Sequence, residues 1–124
     1  MTPVAKNMAS QPWHVWQAIE ERTILPGLRA RFLHSQHMSF ALWNADAQAI
    51  FPVHSHPHEQ VTQMLSGEME LTIDKQTRIL KPGEVAIIPA HTAHSGKALS
   101  ACRILDVFYP LREDYLGSGK GAFS

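Results

Sequence analysis

The chain has 124 residues, enough for one domain and little more. Hydrophobic residues at 44% against 18% charged can bury a core, which excludes a disordered chain, and no stretch approaches the ~20 consecutive apolar residues of a membrane helix. Lys plus Arg and Asp plus Glu stand at 11 each, so no basic excess exists to neutralise phosphates, and neither nucleic acid nor a membrane is an expected partner.

Met1 to Gln11 carries a single Lys and no apolar run of secretory length, so a cytoplasmic protein is expected. Residues 1–12 read as an N-terminal arm, 13–116 as one barrel domain and 117–124 as a frayed tail. Within the domain, short runs alternate with the period of two that strands require. Leu28, Ala30 and Phe32 form one such set, Met38, Phe40 and Leu42 a second, and Met69, Leu71 and Ile73 a third. Glu84 to Ile88 and the apolar run Ala101 to Tyr109 follow. Turns are expected at Pro26-Gly27, Asn44 to Asp46, Ser66-Gly67, Asp74-Lys75, Pro82-Gly83 and Ser95-Gly96, and a short helical turn near Arg112 to Leu116. Many short, evenly spaced strands without long helical periodicity predict an all-β sandwich or barrel. Cys102 is the only cysteine, so no intrachain disulfide exists, and its apolar neighbours make it a core residue.

Histidine is enriched, at 8 residues. Neutral imidazole is a common metal ligand, so the count raises the expectation of a metal or acid–base site. Residues two apart on a strand project to one face, so His54 and His56 can present two imidazoles to one point. Gln60 shares their parity, although Pro57 is expected to break the strand, and its carbonyl oxygen can supply a third ligand. Glu59 beside it is the competing candidate. His94 follows a turn-like segment from which a neighbouring strand can carry it to the same centre. His14, His34, His37, His58 and His91 read as surface residues or as residues behind the ligands.

These motifs resemble the cupin superfamily. Its first motif has a His-x-His pair, an acidic or amide ligand and then a Gly, here His54, His56, Gln60 and Gly67. Its second has a Pro-Gly turn, a Pro and a His, here Pro82-Gly83, Pro89 and His94. The resemblance implies a double-stranded β-helix, a jelly-roll barrel, holding one divalent ion. Nickel, zinc, manganese and iron all suit such a donor set.

A second constellation lies at Asp106 to Tyr115. Asp106 interrupts an apolar strand and shares a face with Phe108, and a buried carboxylate must be paired, near a metal or functional. Arg112 follows Pro110, where the strand should end, so its guanidinium can curl over the barrel mouth and grip a carboxylate. An internal Asp106–Arg112 ion pair is the alternative. The order His-Pro-His-Glu-Gln, then His94-Ser95-Gly96, then Asp106-Val-Phe108 with Arg112-Glu-Asp-Tyr115 resembles the small cupins of pectin degradation, the KdgF type. That resemblance implies conversion of 4,5-unsaturated monouronates to the linear keto form, with metal ligands at His54, His56, Gln60 and His94. It implies substrate-handling or catalytic roles for Asp106, Phe108 and Arg112, and a small sugar acid as partner. A metal-dependent dioxygenase and a non-catalytic ligand-binding cupin are the competing readings. Trp13 and Trp16 offer apolar surface for a homodimer.

Overall fold

A computed structural model describes residues 12–117 and 123. Most of the arm read at 1–12 and of the tail read at 117–124 lies outside the described residues. No helix among the described residues is long and apolar enough to cross a membrane.

Ten strands make up the described chain: β1 (Arg22–Leu25), β2 (Leu28–His34), β3 (Ser39–Ala45), β4 (Ile50–His54), β5 (Glu59–Ser66), β6 (Met69–Ile73), β7 (Gln76–Leu80), β8 (Val85–Ile88), β9 (His94–Ala98) and β10 (Cys102–Tyr109). They form two antiparallel sheets, one of six strands in the order β1-β2-β3-β10-β5-β8 and one of four in the order β4-β9-β6-β7. The crossed order, with β10 between β3 and β5 and β9 between β4 and β6, is the jelly-roll expected. The core between the sheets holds Leu28, Phe32, Trp43, Met64, Met69 and Ile104, among others.

Alternation decides which face each strand buries. On β2, Leu28, Ala30, Phe32 and His34 are buried while the residues between are half-exposed. On β10, Cys102, Ile104, Asp106 and Phe108 share the buried face. Cys102 is a core residue as expected, and burial pushes its thiol pKa up.

Two readings of the strand pattern need correction. On β3 the core residues are Ala41, Trp43 and Ala45, with Ser39 buried on the same parity, whereas Met38 is exposed. Phe40 and Leu42 lie on the other face of β3, where Leu42 is nonetheless buried and Phe40 half-buried. Ser95-Gly96 is no turn: both residues lie inside β9. A Cβ on Gly96 would stand 3.0 Å from Met69 Sδ, so glycine there serves close packing within a sheet.

The other glycine signals hold. Gly27, Gly67 and Gly83 have φ of 77°, 78° and 86°, the left-handed region that favours glycine in turns. At Gly67 a Cβ would also lie 2.1 Å from the Ala101 carbonyl oxygen. The turn expected at Asn44 to Asp46 begins later, since Asn44 and Ala45 still pair in β3 and Gln48 takes the positive φ. The helical turn expected near Arg112 is a single 3-10 turn at Glu113–Tyr115.

Candidate metal centre

Two strand ends and one loop gather the histidines. His54 closes β4 and His94 opens β9, and the two are directly opposed across the β4–β9 ladder. His56 is not on that strand: it lies in the connection to β5, so its convergence comes from the loop and not from strand parity. The His91 backbone N–H donates to the His56 carbonyl at 2.7 Å, which fixes the loop against the segment leading into β9. Ring centres are 4.1 Å apart for His54 and His94, and 5.0 Å for His56 and His94. Nitrogen atoms of all three lie within 4.8 Å of one another.

Each ring is held in one tautomer. Nδ1 of His54 meets the Pro52 carbonyl at 2.7 Å, that of His56 the His58 carbonyl at 3.0 Å, and that of His94 the Thr92 carbonyl at 2.8 Å. A carbonyl only accepts, so each Nδ1 carries the proton and each Nε2 is left with its lone pair. Burial holds His54 and His56 down at about 4, so both are neutral near pH 7.

Gln60 stands beside the three histidines. On β5 it points inward and is buried, while Glu59 is exposed. Gln60 Oε1 stands 3.0 Å from His56 Nε2, and Gln60 Nε2 donates to Thr62 Oγ1 at 3.0 Å. In a neutral His56 with Nδ1 protonated, two lone pairs then face each other, an arrangement a cation between or beside them would relieve. His94 Nε2 is buried with no hydrogen-bond partner among the described residues. Three imidazole nitrogens and one amide oxygen make a donor set that would suit a divalent ion.

The neighbouring groups come from β5 and β10. Their register sets Thr62 opposite Asp106 and Gln60 opposite Phe108. Thr62 Oγ1 donates to Asp106 Oδ1 at 2.7 Å. Burial pushes the Asp106 carboxyl up to about 6, against the Thr62 hydrogen bond that holds it down. The Phe108 ring packs edge-on to His56 at 5.6 Å and to Tyr115 at 5.3 Å.

Arg112 is buried beside this cluster, its guanidinium 4.9 Å from the Phe108 ring centre and 4.1 Å from that of Tyr115. Its two-pronged ion pair is with Asp114, at 3.1 Å and 2.5 Å, and Nη1 donates to Tyr115 Oη at 3.1 Å. The internal partnership offered from sequence was with Asp106, and Asp114 occupies that bidentate position. Arg112 is buried, with its guanidinium held by Asp114 and Tyr115.

A cavity of about 30 Å³, room for one or two waters, opens beside these residues. Trp43, Asp106, Phe108, Tyr115 and Phe123 are among its walls. Phe123 was not expected here: its ring centre is 5.0 Å from that of His54 and 5.9 Å from that of Trp43. Thr62, Trp43 and Tyr115 were also missed as lining residues. Thr62 shares the parity of Gln60, which is the one local signal it offered. His34 proves to be buried, its Nδ1 2.8 Å from Ser39 Oγ, while His37 is exposed.

Residues 41–108 match the family model for the cupin domain. An uncharacterised protein of Streptomyces coelicolor is 31% identical over 91 residues, which cover 73% of this chain and 87% of that protein. An RmlC-like cupin from Shewanella frigidimarina has a TM-score of 0.81 at 25% identity, over 85% of this chain and 96% of that one. KdgF from a Halomonas species has a TM-score of 0.80 at 24% identity, over 85% and 98% of the two chains, a likeness of fold. Oxalate decarboxylase of Bacillus subtilis, with Mn(II) centres, shares the fold at a TM-score of 0.72 and 20% identity, over 78% of this chain and 29% of that one. With a matched model over more than half its length and a jelly-roll barrel around a histidine cluster, the chain belongs to the cupin domain family.

Proposed function

We propose that the chain is a metal-dependent enzyme that opens 4,5-unsaturated monouronates to their linear keto form. One observation carries this reading: a buried carboxyl, Asp106, raised to about 6, lines the same cavity as His54, His94 and Gln60. A general base works best with a pKa near the working pH. The resemblance to the KdgF type, on the same residues, supplies the substrate.

In this reading Asp106 takes the proton of the anomeric hydroxyl. The bond between the anomeric carbon and the ring oxygen then breaks, the anomeric carbon becomes an aldehyde, and the ring oxygen carries an enolate. Protonation of the enolate carbon gives the ketone. Atoms and electrons balance without any oxidant. A divalent ion held by His54, His56, Gln60 and His94 would supply an electrophile for the negative enolate oxygen. Phe108 packs against the sugar. Arg112 is the fixed positive charge that favours the uronate's own carboxylate; a direct grip requires its guanidinium to release Asp114.

The decisive assay follows the ultraviolet absorbance of the conjugated double bond, which is lost on ketonisation. Metal-loaded protein should outpace spontaneous decay, and Asp106→Asn should lower turnover by about 10²–10⁴-fold with metal content intact. Wild-type protein no faster than buffer would remove the uronate reading. The aromatic walls, Trp43, Phe51, Phe108, Tyr115 and Phe123, favour a second reading, a dioxygenase acting on an apolar substrate. Oxygen consumption with an iron-loaded protein separates it from the first.

A further inference from the structure

We propose that Thr62 is the positioning residue that turns the Gln60 amide so that its oxygen, not its nitrogen, meets the metal. The inference rests on the metal centre read above and adds a part that the ligand motifs do not contain. Thr62 sits on β5, 2% exposed, between the third ligand and the carboxyl of Asp106.

A hydroxyl has a single proton, and that of Thr62 goes to Asp106 Oδ1 at 2.7 Å. The ionised carboxylate of Asp106 only accepts, which fixes the Thr62 proton on that side. Only lone pairs of Thr62 remain to face Gln60 at 3.0 Å, and lone pairs accept an N–H. Gln60 must therefore turn Nε2 toward Thr62, which leaves Oε1 on the side of His56 Nε2, 3.0 Å away.

Rotation of the amide by half a turn would exchange the two atoms with almost no change in shape. The flipped form would aim an NH₂ group, which has no lone pair to give, at the ion. A glutamate ligand needs no such device, because its two oxygens are equivalent. A Gln ligand does, and Thr62, backed by the Asp106 carboxyl that also accepts from the Gln60 amide, reads the difference. Groups that orient a ligand in this way commonly govern about 10–100-fold in metal affinity.

Calorimetric titration of chelator-stripped full-length chain with Zn²⁺ tests the assignment. Thr62→Val keeps the shape and removes the hydroxyl; it should weaken Zn²⁺ binding by about 10–100-fold, and Thr62→Ser should restore it. In a Gln60→Ala background, Thr62→Val should add no further loss, because the amide it orients is gone. Should Thr62→Val not fold, Thr62→Ala carries the same expectation. Wild-type affinity in Thr62→Val, or an equal loss in the Gln60→Ala background, overturns the proposal while leaving the metal centre standing. A wild-type chain that takes up no Zn²⁺ removes the metal centre itself, and this inference with it.

Discussion

Asp106 is where burial and chemistry meet. Its carboxyl rises from an ordinary 3.8 to about 6 because desolvation disfavours the charge. A raised pKa means that the group's contribution to stability is complete below about 3.8 and is lost as pH rises through about 6. Catalysis by a base has the opposite sign, since only the ionised form accepts a proton. We expect kcat/KM for the unsaturated uronate to rise with pH through about 6 and then level, and Asp106→Asn to lack that rise. A flat profile in the wild type would move the base elsewhere. Asp106 itself was legible in sequence as a lone acid in an apolar strand. Its bond to Thr62 was not, because cross-strand register between β5 and β10 leaves no local mark.

The strands teach a related lesson about which patterns survive folding. β2 and β6, with apolar inward faces, were readable from alternation, and β10 from its long apolar run. β5 was not, because its inward face carries Gln60 and Thr62 for the site and so breaks the apolar rhythm. β7 is exposed along most of its length and has no face to reveal it. The histidine cluster was legible because its members recur in a motif, though the reason first given for His56, strand parity, is replaced by the loop between β4 and β5. Glycines divide the same way. Gly96 looked like a turn but is a close-packing residue, whereas Gly67 is needed twice over, for its φ of 78° and for the Ala101 carbonyl 2.1 Å from its missing Cβ. Gly67→Ala should cost more than the ~1–3 kcal/mol of backbone strain alone, read as a lowered urea midpoint without loss of the ligand set. A midpoint equal to wild type would show that the β5–β6 turn relaxes freely.

For the assembled barrel, two features bear on partners. Trp13 is 88% exposed, and the outward residues Val85 and Ile87 of edge strand β8 are 53% and 63% exposed. Apolar surface of this kind is what a second copy would cover, and we expect a homodimer. Light scattering should return twice the chain mass; a single-chain mass at high concentration would contradict it. At about 30 Å³ the cavity has room for a water or two, so the proposed uronate activity requires its walls to open around the sugar. Phe123, packed on His54, is the wall that no motif foretold, since a lone aromatic in a Gly- and Ser-rich tail carries no periodic signal.

The account rests above all on one ion shared by four side chains from β4, β5, β9 and the loop after β4. Metal content of the purified chain, measured by mass spectrometry, tests that directly. We predict one equivalent of a divalent metal in the wild type, a full loss in His56→Ala, and a large loss in Gln60→Ala that Glu59→Ala does not share. A full equivalent retained in His56→Ala, or a loss in Glu59→Ala with Gln60→Ala unaffected, would contradict it.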